Sequence, residues 1–155
     1  MSLLAGIRPD EWNWTLLLHV LGAMLLVGGL TCAVFAFVAG WRRDTPTLAR
    51  LAFWSLAAVA FPAWWLMRIF GEWTASKEGF GGDDDPAWLG IGYITAEPGG
   101  LVILISLLLT GLGVRRLRRS DGPATSTLVR VGAVLTTIAL ASYVVAVWAM
   151  TTKPD

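Results

Sequence analysis

The chain has 155 residues, enough for one domain, and 55% are hydrophobic against 15% charged, a balance that excludes an ordinary soluble domain. A formal net charge of +1 leaves no basic footprint for a nucleic-acid partner. A single cysteine, Cys32, excludes an internal disulfide and reads as a small packing residue in an apolar stretch.

Four apolar runs, at about residues 14–40, 51–70, 96–114 and 128–150, each come near the ~20 residues a helix needs to cross a bilayer. The first follows a short, mildly amphipathic segment, Met1–Glu11, and begins at Trp12 and Trp14, whose rings favour the headgroup level. It is too long for the apolar region of a cleavable signal peptide, and its flank Arg8-Pro9-Asp10-Glu11 is not a positive leader, so it is expected to remain a membrane helix. Trp41 closes it before Arg42 and Arg43, and Asp44-Thr45-Pro46 reads as a turn. In the second run Pro62 deletes a backbone hydrogen bond and predicts a kink. Residues 72–95 form the one long loop. It carries Gly79, Gly81, Gly82 and the run Asp83-Asp84-Asp85, then an apolar, aromatic stretch, Trp88–Tyr93, expected to dip back to the interface. Thr95-Ala96-Glu97-Pro98 reads as the start of the third helix, with a capping threonine, an acid at the positive helix end and a first-turn proline. That helix ends at Arg115-Arg116. A polar hairpin loop around Ser120-Asp121-Gly122-Pro123 leads to the fourth, which closes in a short tail.

Charge orients these runs. Of the twelve Lys and Arg residues, Arg42, Arg43, Arg50, Arg115, Arg116, Arg118, Arg119 and Arg130 cluster in or beside the first and third connections. Short basic connections stay in the cytoplasm, which puts both termini and the 72–95 loop outside. The expected fold is an all-α membrane protein, a four-transmembrane-helix antiparallel bundle, N-out/C-out, in the plasma membrane.

Three runs carry a stripe of small or polar residues. The stripes are Thr15, His19, Gly22, Leu26, Gly29 and Ala33; then Gly99, Ile103, Ser106, Thr110 and Gly113; then Gly132, Thr136, Ala139, Tyr143, Ala146 and Met150. Lipid offers no hydrophobic drive for association, so small residues that let backbones approach predict the interior of the bundle.

His19 is the only histidine, and it lies on the first stripe about one to two turns below the outer surface. Arg68 and Glu72 sit one helical turn apart at the outer end of the second run and can pair. Glu97 opens the third on the same side, and Tyr143 falls in the outer half of the fourth. The candidate ligand- or cofactor-binding set is therefore His19, Arg68, Glu72, Glu97 and Tyr143, with Met150, because an ionisable group within a span marks a functional site. Plainer readings stand beside it: a snorkelling arginine, a helix-start glutamate, a packed tyrosine and an interhelical histidine hydrogen bond. The Asp83–Asp85 run lacks the alternating spacing and distal glutamate of a calcium loop, and no nucleophile elbow, phosphate loop, zinc spacing or kinase motif is present.

The stretch Leu18-His19-Val20-Leu21-Gly22-Ala23, followed by Val27-Gly28-Gly29, resembles the first helix of CopD-type membrane proteins and related integral membrane proteins of similar length. The resemblance covers this motif and the four-span layout. It implies redox or metal handling through haem or copper, with His19 the metal ligand and Gly22 one turn on. Haem b would use His19 in a five-coordinate site, His19 with Met150, or His19 from two copies of the chain, because a six-coordinate haem needs two axial ligands. Copper would add Met24, Met67 and Met150 as soft ligands. In a haem site Arg68 would pair a propionate; in a quinone site His19 or Tyr143 would donate a hydrogen bond.

Two other classes compete. A non-catalytic membrane subunit or homo-oligomer needs no site, and its cytoplasmic arginines would hold anionic lipid or a larger complex. A small transporter or proton path would use His19, Glu97 and Glu72, but beyond Thr110, Thr136 and Thr137 the inner half offers it little.

Overall fold

In the computed structural model of the protein, which describes residues 10–43, 45–80, 86–117 and 126–152, every element is helical. α1 spans Asp10–Arg43, α2 Pro46–Glu78, α3 Ala87–Leu117 and α4 Thr127–Thr152. All four are long and apolar enough to cross a membrane, as a multi-pass membrane protein requires. The expectations for Asp44, for Asp83–Asp85, for Ser120–Pro123 and for both chain ends lie outside the described residues.

The helices outrun the apolar runs that announce them. Within the loop expected over 72–95, α2 continues to Glu78 and α3 already begins at Ala87. Backbone hydrogen bonding, unlike membrane residence, does not stop where side chains become polar. α2 ends at Gly79, whose φ of 80° lies in the left-handed region, and Phe80 N–H reaches back to the Ala75 carbonyl at 3.0 Å. This is the glycine-terminated helix end that satisfies the last carbonyls. The start expected at Thr95–Pro98 is likewise displaced: Trp88–Tyr93 is helical, and Pro98 lies inside α3.

Pro62 is accommodated without a break. The six residues Ser55–Ala60 widen into a π-helical segment, and Phe61 N–H bonds the Leu56 carbonyl five residues back. A π-bulge changes which carbonyls lack a donor, and such bulges recur at irregular points in helices.

Helix contacts follow the small-residue stripes. Along α1 and α2, Gly22 meets Met67, Gly29 meets Ala60, and Gly40 meets Leu48. A Cβ on Gly22 would sit 2.6 Å from the Met67 nitrogen, so this crossing requires glycine. Ser55 donates to the Gly29 carbonyl at 2.8 Å. Along α3 and α4, Gly92 receives Met150, Gly99 receives Tyr143, and Gly113 receives Val129. Between these, Ser106 Oγ lies 2.7 Å from the Gly132 carbonyl and 2.6 Å from Thr136 Oγ1, which itself reaches that carbonyl at 2.8 Å. Two hydroxyl hydrogens serve three contacts, so at most two are hydrogen bonds at any moment. All five stripe residues of α3 are buried.

Candidate functional site

A cavity of about 670 Å³ opens at the end of the molecule where α1 begins and α2 ends, and all four helices line it. That volume suits a small-molecule ligand. His19, Arg68, Tyr143 and Met150 reach it, while Glu72 and Glu97 stand beside it as partners of Arg68. The rest of the wall is mainly apolar, with Ala23, Leu26 and Val27 among its residues.

His19 is held by two glycines and a carbonyl. Gly22 brings α1 onto the α2 backbone at Met67. The imidazole, one turn away, then places Nδ1 2.8 Å from the Met67 carbonyl. Gly71 leaves room for the ring, since a Cβ there would lie 2.8 Å from Nδ1 and 2.9 Å from Cε1. A carbonyl accepts and never donates, so Nδ1 carries hydrogen. A hydrogen bond from one ring nitrogen to a carbonyl fixes the tautomer of a ligating histidine.

Arg68 is enclosed by its own neighbours. Nη1 pairs with Glu72, Nη2 lies 3.1 Å from Glu97 Oε1, and the guanidinium sits 5.2 Å from the Tyr93 ring centroid. A haem propionate would share the guanidinium with these carboxylates, which leave three of its five N–H groups. Both are considerably exposed, 48% and 67%, so the bridge from Arg68 to α3 stands at the rim of the cavity that Arg68 lines.

Tyr143 is buried, and its hydroxyl is turned to the backbone. It approaches the Ala96 carbonyl at 3.4 Å over Gly99, while Trp64 Nε1 donates to the same carbonyl at 2.8 Å, with its ring over Gly100. Gly99 and Gly100 thus let α4 and α2 both dock on the α3 backbone next to Pro98. The hydroxyl thus donates to the α3 backbone, while Tyr143 also lines the cavity. Met150 fills the notch at Gly92.

The chain matches no protein-family model, no curated protein and no solved structure. Among the described residues no three His, Cys, Asp or Glu side chains gather to hold a metal ion. Met24, Met67 and Met150 all line the cavity, but Met24 is largely exposed and Met150 is packed on α3. Sequence reasoning passed over Gly71, Trp64 and Glu78, which also lines the cavity. Gly71 carried a legible signal, a glycine beside the Arg68–Glu72 turn at the depth of His19. The Met67 carbonyl carried none, because every residue has one.

Proposed function

We propose that this protein is a plasma-membrane protein with an N-out/C-out antiparallel bundle, whose cavity binds a lipophilic redox cofactor or carrier, haem b or a quinone, in the outer leaflet. The observation that carries this reading is His19, pinned through Nδ1 to the Met67 carbonyl at the wall of a largely apolar cavity. A positioned imidazole in an apolar wall supplies either an axial nitrogen for haem iron or one polar contact for a quinone ring. The arginines at the opposite ends of the helices, Arg42, Arg43, Arg115 and Arg116, support the orientation, and an aromatic cluster supports a membrane interface at the cavity end. There Trp14 packs against Phe70 and Trp73, with Lys77 over both tryptophan rings. The likeness of the His19–Gly29 stretch to CopD-type proteins points toward the same chemistry.

The test is an absorption spectrum of gently purified protein, oxidised and then reduced, with quinone analysis of an organic extract, beside His19→Ala. A Soret band that shifts on reduction, or a co-purifying quinone, is expected and should be lost in the variant. Colourless, quinone-free protein from haem-replete cells would favour a non-catalytic membrane subunit instead.

A further inference from the structure

We propose that the cavity selects the reduced carrier, a neutral hydroquinone that enters sideways from the bilayer between α1 and α4 and donates a hydroxyl hydrogen to Nε2 of His19. This rests on the redox-carrier reading and chooses among its ligands.

The hydrogen-bond polarity follows from the tautomer. With Nδ1–H directed at the Met67 carbonyl, the neutral ring has a bare lone pair at Nε2. Among the described residues the imidazole makes no other hydrogen bond. The complementary group is a donor. A hydroquinone O–H supplies one, whereas a quinone carbonyl offers a second acceptor and leaves both unsatisfied.

Charge disfavours the anionic alternatives. The one guanidinium among the cavity-lining residues is already paired by Glu72 and Glu97. A haem propionate, a fatty acid or a phospholipid phosphate would compete with these carboxylates, whereas a neutral ring would not.

The route follows from the wall. Val20 and Met24 of α1 and Val147 of α4 line the cavity and are also exposed on the flank of the molecule. The cavity is thus continuous with a surface that faces lipid, where an isoprenoid carrier dissolves. Ala23 and Val27 supply the apolar contact for ring and tail.

The test is anaerobic binding of a decyl-substituted benzoquinol and the matching benzoquinone to the full chain in nanodiscs. The quinol is expected to bind about tenfold more tightly, the effect of one satisfied against one unsatisfied hydrogen bond. The ratio should fall to about one in His19→Leu. Because the chain has one histidine, ¹⁵N NMR reads the tautomer directly even if that variant fails to fold. An Nδ1–H ring whose Nε2 signal moves with quinol and not with quinone is expected. A Val20→Trp, Val147→Trp double variant should slow association without altering the tautomer. Equal affinity for both redox forms, or an Nε2–H ring, would overturn the proposal and leave the carrier site standing. A Soret band without binding of either analogue would overturn it in favour of haem. Neither a Soret band nor binding would sink the site reading as well.

Discussion

The α3–α4 seam and the α1–α2 crossing use the same device, glycine opposite a neighbouring helix, and reach different ends. In the seam, Ser106 and Thr136 share the Gly132 carbonyl and the helices close, with Thr110 Oγ1 left buried without a partner among the described residues. At the crossing, Gly22 and Gly71 admit an imidazole whose second nitrogen is left over, beside a cavity. Small residues set how near two helices come, while the polar group placed there decides between packing and binding.

The largest effect is expected from Gly22→Leu. Its Cβ would meet Met67 backbone rather than a side chain that can turn aside, so a loss of about 1–3 kcal/mol is expected, read from unfolding in mixed micelles. Gly71→Ala should be milder for stability yet selective for the site. Its methyl collides with the imidazole at Nδ1 and Cε1, so the Nδ1 resonance should lose its hydrogen-bonded shift and ligand affinity should fall about tenfold. An unchanged resonance would show that the ring does not rest on Gly71.

Within the seam, a Ser106→Ala, Thr136→Ala double-mutant cycle should give a coupling of about 0.6 kcal/mol, typical of interhelical hydrogen bonds in membranes. Thr110→Val should behave oppositely. Thr110 Oγ1 is buried without a hydrogen-bond partner among the described residues, so an isosteric methyl should leave stability unchanged or raise it by up to about 1 kcal/mol. The smallest effect is expected at Gly28, around which an added Cβ meets nothing within 4 Å. Gly28→Ala should shift stability by less than about 0.5 kcal/mol, and a larger loss would point to a partner on that exposed face of α1.

Much of the packing was legible. The stripe on α3 is buried throughout, and on α1 only His19 among its six residues is more than slightly exposed. A period near 3.6 reports which residues share a face, whatever that face meets. Helix ends were less legible, because the apolar run marks where a chain can sit in hydrocarbon, not where its hydrogen-bonded ladder stops. Glu72–Glu78 and Ala87–Thr95 are the residues where the two differ.

Four helices of membrane-spanning length, their inward faces and the pairing of Arg68 with Glu72 one turn away are written in the order of residues. Each depends on spacing along one chain segment. Helix packing was needed for Glu97 to complete the Arg68 pair, for Tyr143 and Trp64 to converge on the Ala96 carbonyl, and for His19 to keep its hydrogen on Nδ1. Those outcomes depend on the rotation and register of one helix against another. Backbone carbonyls, identical at every position in sequence, become distinct only when a neighbouring helix brings a donor to one of them.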